Sequence, residues 1–156
     1  MSKTTHQLVR MDRRQALKAA GAGVLAMGFA TAAHATPEAT ATAISQLGGS
    51  AMAGSAKITI DLPEIAENGA TVPINVTIDS PMTAADHVKH IHVFAEGNPS
   101  PEVISFNLTP SNGKAEVGSR IRLSKTQNVV VAAVMSDGSV HTNQKEVKVT
   151  IGGCGG

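Results

Sequence analysis

The sequence predicts an all-β protein, an immunoglobulin-like antiparallel β-sandwich of about seven strands that follows one short N-terminal helix. Three observations lead to this fold class. Apolar and polar residues alternate with a period of two after residue 57. Turns rich in Gly, Pro and Asn separate these runs at regular intervals, and one stretch near residue 40 has helical spacing. Short strands with regular turns and almost no helix are typical of a sandwich.

The predicted helix covers residues 37–47. Pro37 suits the first turn of a helix and the glycines after Leu47 suit its end. Ala43, Ile44 and Leu47 lie on one face of this helix, which is therefore amphipathic. Residues 48–56, GGSAMAGSA, are small and typical of a flexible linker.

The predicted strands follow in order, and a turn or a proline ends each of them. They cover residues 57–62, 72–78, 87–96, 103–108, 115–123, 129–135 and 140–151. Pro73 predicts an edge position or the start of a strand, because proline cannot donate to a sheet ladder. The continuous apolar run 129–135 indicates a central strand buried on both faces or a hydrophobic interface.

Residues 1–35 have the layout of a secretory signal. Arg13 and Arg14 precede a weakly apolar, glycine-containing run, and Ala33-His34-Ala35 is a small-x-small cleavage site. The arginine pair is typical of a twin-arginine signal, although Asp12 stands where that signal usually has Ser or Thr. The apolar run is about 15 residues, shorter than the ~20 that a membrane span needs. We therefore expect cleavage after Ala35, export to the periplasm as a folded protein, and no membrane attachment.

The domain organisation is then a signal at 1–35, a sandwich domain at 36–151 and a short tail at 152–156 of the 156 residues. The signal holds five of the 13 basic and one of the 12 acidic residues, which leaves 8 basic and 11 acidic residues and a net charge of −3. A nucleic-acid binder needs a basic surface, so this class of protein is excluded.

The tail has the composition of a swinging arm. Cys154 is the only cysteine, and four glycines surround it: Gly152, Gly153, Gly155 and Gly156. A single cysteine excludes an internal disulfide and a site built from several cysteines. Glycine adopts most backbone conformations, and five extended residues reach roughly 17 Å at ~3.4 Å each. Because no basic side chain adjoins Cys154 to favour its thiolate, the tail predicts a covalent carrier that visits other active sites rather than an enzyme.

With the export signal and the sandwich, this tail resembles the SoxY family, the sulfur-carrier subunit of the periplasmic thiosulfate-oxidising Sox system. Residues 61–83, 115–117 and 128–138, and the stretch from His90 to Phe94, are also similar to that family. The resemblance implies that Cys154 is the carrier cysteine, that the four glycines form its flexible arm, and that the protein needs no cofactor or catalytic residue of its own.

The resemblance also implies partners. A SoxZ-type β-sandwich chain without a signal would form a heterodimer with this chain and leave the cell with it, which accounts for a folded-export route. The haem protein SoxXA would join thiosulfate to the sulfur of Cys154, the hydrolase SoxB would release sulfate, and a SoxCD-type enzyme would oxidise the remaining sulfane sulfur. Without its partner, the exposed Cys154 could link two copies through a disulfide.

Two alternatives stay open. His87, His90, His92 and His141, together with Cys154, match the ligand types of a superoxide-reductase iron site on a similar sandwich. Against this hypothesis, a glycine tail is a poor place to fix a metal ligand. A structural or adhesive subunit would explain the fold and the export signal, but not the thiol between glycines.

Overall fold

The structure is a computed structural model and describes residues 35–49 and 51–153. Several residues singled out in the sequence lie outside this part of the chain: Arg13, Arg14, Cys154, Gly155 and Gly156. Among the described residues, no helix has the length and apolar character needed to cross a membrane.

One α-helix, nine strands and a one-turn 3-10 helix at Pro110–Asn112 make up this part of the chain. The α-helix and the strands are α1 Pro37–Gln46, β1 Ala51–Met52, β2 Ile58–Asp61, β3 Ile65–Asn68, β4 Val72–Ile78, β5 Val88–Ala95, β6 Glu102–Asn107, β7 Ala115–Ile121, β8 Gln127–Met135 and β9 Val140–Ile151. The helix and all seven predicted strands are present, and the predicted all-β sandwich is confirmed.

The strands form two sheets. The larger has the order β1-β9-β8-β5-β6, with β3 also on β9, and the smaller has the order β2-β4-β7. All pairs are antiparallel except those of β9 with β1 and β3, which are parallel. Strand β9 is the longest, with 12 residues, and it carries the chain to the C-terminal tail.

Strand β8 is buried on both faces, as its continuous apolar run indicates. Val129, Val131 and Ala133 pack between the sheets in the main core. The alternate residues of β8 face outward, where Ile44 of α1 packs with Phe94 and Val140. The outer apolar face of the large sheet is thus covered by the chain's own helix, which decides between the two interpretations of this run.

Two strands were not predicted. Strand β1 lies in the expected linker, and β3 lies between the predicted strands at 57–62 and 72–78. Both are short, and both are defined by parallel pairing with β9 rather than by an alternating pattern of their own. Pro73 is the second residue of β4 and lies before Asn75, where the pairing with β2 ends. The prediction of a strand start was therefore right and that of an edge strand was wrong, since β4 is central in its sheet.

Helix α1 starts next to the predicted cleavage site. The Thr36 hydroxyl oxygen caps the helix by accepting the Ala39 N–H at 3.2 Å. Ala35 is buried and donates its N–H to the Asn98 carbonyl oxygen at 2.8 Å. Cleavage after Ala35 would remove this contact and keep the cap, because the capping hydroxyl belongs to Thr36.

Candidate functional site

The end of β9 is the part of the fold that leads directly to the predicted carrier cysteine. Strand β8 pairs with β9 as far as Val147, and β3 pairs with its last stretch, Lys148–Ile151. The Ile151 side chain is 67% exposed. The chain therefore reaches Gly152 along a strand that is paired up to its final residue.

Three backbone hydrogen bonds close a ring at this point. Gly69 donates its N–H to the Ile151 carbonyl oxygen at 2.8 Å, and Leu123 donates to the Gly69 carbonyl oxygen at 2.8 Å. Gly153 in turn donates its N–H to the Leu123 carbonyl oxygen at 3.0 Å. Three segments far apart in sequence are thereby joined immediately before Cys154. We call Gly69, Leu123 and Gly152–Gly153 the glycine clasp.

The clasp brings backbones so close together that its glycines have no room for a side chain. A Cβ on Gly69 would collide with the Leu123 carbonyl oxygen and lie 2.7 Å from the Gly153 nitrogen. A Cβ on Gly152 would collide with the Ser124 carbonyl oxygen, and one on Gly153 would lie 2.7 Å from the Ala70 nitrogen. Real Cβ atoms essentially never lie under 3.0 Å from such atoms. All three positions therefore require glycine because of close packing.

The same geometry places Gly152 and Gly153, the first two residues of the predicted arm. The sequence predicts that both belong to a flexible arm that starts at residue 152. In the structure, Gly153 is buried and hydrogen-bonded, and Gly152 lies against Ser124. The described chain contacts the sandwich as far as Gly153. The flexible arm over residues 152–156 stays a prediction, since Cys154, Gly155 and Gly156 lie outside the described part.

Gly69 and Leu123 are the site residues that sequence reasoning missed. Gly69 follows Glu67-Asn68 in a pattern typical of a turn, and Leu123 is an ordinary apolar residue at the end of a predicted strand. Nothing in their local sequence links either of them to the tail. Their role depends on β3 and β7 ending beside the last residues of β9.

The four histidines do not form one cluster. His90 and His92 lie opposite Val134 and Ala132 of β8, which belong to the outer cluster under α1. Residues directly opposite one another in a sheet share a face. His141 lies opposite Ala133, a member of the inner core, so it points to the other face of the sheet.

Each of these imidazoles also has a hydrogen-bond partner on its Nδ1. His92 donates to Glu102 Oε1 at 2.8 Å and His90 donates to Asn107 Oδ1 at 2.7 Å. The His141 Nδ1 shares a hydrogen bond of 3.0 Å with the Ser55 hydroxyl. These contacts link neighbouring strands and segments of the sandwich. Within residues 35–49 and 51–153, no three His, Asp or Glu side chains are grouped as metal ligands.

The histidines lie at the opposite end of β9 from the clasp. The β8 residues that pair with His90 and His92 also pair with Val140 and Thr142, which lie at the start of β9. Ile151 follows Thr142 by nine residues, which is about 30 Å at ~3.3 Å per residue. Gly153, which is tied to Leu123, is therefore far from His90, His92 and His141 within the described part of the chain, and this distance does not favour the superoxide-reductase hypothesis.

An open cavity of about 390 Å³ lies at the histidine end. Lys57, Asp86, Asp137 and His141 contribute its charged and titratable groups. Hydrogen bonds from the Ser139 side chain and backbone to the Asp137 carboxylate lower the pKa of Asp137. These contacts stabilise the turn between β8 and β9, and the cavity is remote from the tail.

Comparison with known proteins identifies the family. A family profile described as "Sulfur oxidation protein SoxY" matches residues 44–154, most of the chain and all of the sandwich up to the cysteine. The chain belongs to the SoxY family. The sulfur carrier protein SoxY from Chlorobium limicola f thiosulfatophilum has 40% sequence identity and a TM-score of 0.59, with 71% of this chain and 96% of that chain covered. The resemblance to SoxY in the sequence is thus confirmed.

The same sandwich occurs in superoxide reductases. The superoxide reductase (neelaredoxin) from Ignicoccus hospitalis is 20% identical with a TM-score of 0.53, and 74% of this chain and 94% of the reductase are covered. A putative superoxide reductase from Thermotoga maritima is 19% identical with a TM-score of 0.54, over 63% and 92% of the two chains. At this identity the likeness concerns the fold alone. Comparison with curated protein sequences gives no significant match.

Proposed function

We propose that this SoxY protein carries sulfur covalently on Cys154 and presents it to the enzymes of thiosulfate oxidation. Two findings support the proposal: the family match extends to residue 154, and the 40% identical neighbour is a sulfur carrier protein. The observation that carries most weight is the position of Cys154. The chain's only cysteine follows directly on Gly153, the last described residue of the sandwich, and the core has no other thiol.

The proposed loading step joins thiosulfate to the cysteine sulfur. The Cys154 thiolate and the terminal sulfur of thiosulfate form an S–S bond, and two electrons leave one at a time through the haem of a SoxXA-type partner. The product is an S-thiosulfonate with one negative charge. An unperturbed thiol near pKa 8.5 is only about 3% ionised at pH 7, so the partner's active site has to favour the thiolate.

The proposed unloading steps follow from the same adduct. Water attacks the terminal sulfone group in a SoxB-type hydrolase, sulfate and protons leave, and a persulfide remains on Cys154. A SoxCD-type enzyme oxidises the outer sulfane sulfur where such an enzyme is present. In every step this chain supplies the attachment point and the position, and the partners supply the chemistry, which is why we assign it a carrier role and no catalytic residue.

The proposal includes a subunit partner and a location. A SoxZ-type β-sandwich chain forms a heterodimer with this chain, and the twin-arginine signal with Arg13 and Arg14 exports the folded pair to the periplasm. A signal for folded export suits a protein that has to acquire a partner chain before it crosses the membrane. Cleavage after Ala35 leaves Thr36 as the first residue.

Mass spectrometry of the C-terminal peptide tests the carrier function directly. The mature complex is incubated with thiosulfate and a SoxXA-type oxidase, and we expect a thiosulfonate adduct on Cys154. Subsequent SoxB-type hydrolysis should convert this adduct to a persulfide. An unmodified thiol under both conditions would contradict the proposal and favour a structural subunit.

A further inference from the structure

The glycine clasp has a geometry that a freely swinging arm does not need. A mobile arm uses glycine for its range of backbone conformations, yet Gly152 and Gly153 are packed against Ser124 and Ala70 at distances that exclude any Cβ. Their partner Gly69 is also a buried glycine. The required glycines thus occur on both sides of a contact between two segments of the chain.

We propose that Gly69 is a positioning residue for the carrier thiol, and that the clasp fixes the root of the arm at Gly153. This inference rests on the proposed carrier function. The ring of hydrogen bonds through Ile151, Gly69, Leu123 and Gly153 holds Gly152–Gly153 in one conformation before any enzyme is met. The backbone conformational entropy of these two residues is then lost when the protein folds, and not when it docks on an enzyme.

A fixed root limits the distance that the sulfur can reach. From the Cα of Gly153, the Cα of Cys154 is one step of about 3.8 Å away, and only the cysteine side chain extends further. A five-residue arm free from Gly152 would instead span roughly 17 Å. An enzyme that reacts with Cys154 therefore has to approach the sandwich surface around the clasp, where Ile151 is 67% exposed. While it is closed, the clasp thus sets the point at which the chain leaves the sandwich and continues to the thiol.

Hydrogen exchange of the Gly153 amide tests the clasp without any variant. In the mature complex we expect this amide to exchange at least about tenfold more slowly than in a free peptide of sequence VTIGGCGG, because its N–H is bonded to Leu123. Exchange at the rate of the peptide would overturn the inference. That result would leave the carrier function untouched, because the mass of the Cys154 adduct tests that function separately.

The substitution Gly69→Ala tests the functional consequence. Its Cβ should open the clasp, and the Gly153 amide should lose its protection. The SoxXA-type oxidase should then show a higher KM for the carrier, since ordering each freed residue on docking lowers affinity by about five- to thirtyfold. The kcat and the rate of alkylation of Cys154 by iodoacetamide should change little, because the thiol itself is untouched.

Gly118→Ala is the matched control. A Cβ on Gly118 would lie 2.7 Å from Asn75 Oδ1, the end of an exposed side chain that can move, and Gly118 is in the middle of β7. This variant should keep both the protection of the Gly153 amide and the wild-type KM. If Gly69→Ala fails to fold, Gly152→Ala serves instead, since its Cβ meets only the Ser124 carbonyl group. An opened clasp with an unchanged KM would overturn the positioning role and leave the carrier function standing.

Discussion

Gly153 donates its backbone N–H to the carbonyl oxygen of Leu123 at 3.0 Å, so the residue before the only cysteine is tied to the segment that follows β7. Leu123 is fully buried and itself donates to Gly69. The tail thereby takes its starting position from two loops that are 30 or more residues away in sequence. Replacement of residues in those loops should affect the chemistry at Cys154 without contact with substrate.

Replacement of the carrier thiol gives the most direct prediction. Cys154→Ser should abolish thiosulfate-dependent electron transfer in the reconstituted system, because a serine hydroxyl can form neither a thiosulfonate nor a persulfide. Cys154 follows the last described residue of the sandwich, so we expect the free energy of unfolding to change by less than about 0.5 kcal/mol. Enzyme assays with thiosulfate and a thermal melt measure the two effects.

Persistent thiosulfate oxidation by folded Cys154→Ser would contradict the carrier mechanism. The variant Cys154→Ala provides the control for polarity at this position. It should be as inactive as Cys154→Ser, since both lack sulfur.

Ile151, the large exposed apolar residue directly before Gly152 of the clasp, gives a second prediction. Ile151→Asp should weaken the docking of each partner enzyme by about 1 kcal/mol or more, about fivefold in KM, because an exposed apolar side chain on the proposed docking surface is replaced by a charge. Ile151 is 67% exposed, so the fold should tolerate the change. Steady-state kinetics with a SoxXA-type and a SoxB-type enzyme measure the effect.

Ile65→Asp is the matched control for that variant. Ile65 is 60% exposed and pairs with Lys148, three residues before Ile151 and on the other face of the β3–β9 pair. Its replacement introduces the same charge and should leave KM unchanged. Equal effects of the two substitutions would show that general surface charge, and not contact at the clasp, determines docking.

The export route gives a third prediction. Replacing both Arg13 and Arg14 with lysine should leave uncleaved precursor in the cytoplasm, because the twin-arginine pathway requires the arginine pair. Cell fractionation and N-terminal sequencing measure this, and the wild-type mature chain should begin at Thr36. A control with Arg10→Lys, which lies outside the pair, should export normally. Normal periplasmic yield from the double variant would argue against this route.

The subunit partner gives a fourth prediction. Co-expression with a SoxZ-type chain should yield a heterodimer on size-exclusion chromatography. The chain expressed alone should form a dimer linked through Cys154 that dithiothreitol dissolves, because an accessible thiol oxidises in a compartment without reductant. Cys154→Ser should abolish the disulfide dimer and keep the heterodimer. A monomer that does not bind the co-expressed partner would refute the expected assembly.

Much of the fold could be predicted from local patterns. The alternation within β4 and the continuous apolar run of β8 depend only on residues within each strand, and both predictions hold in the structure. Strands β1 and β3 could not be predicted in this way. Each forms because it pairs in parallel with β9. A segment of two to four residues is too short for its own sequence to indicate that partner strand.

The sequence by itself determined the fold class and the family, and it singled out Cys154 as the predicted carrier residue. Periodicity, turn residues and a terminal motif are local properties, so they can be read from the chain in order. Only the tertiary structure decided that His141 faces the core while His90 and His92 face outward, and that Gly152 and Gly153 pack beneath Leu123 and Ser124. Both results depend on strand register and on the approach of segments distant in sequence. Local sequence could not decide the second, because glycine is suited both to a mobile tail and to a closely packed one.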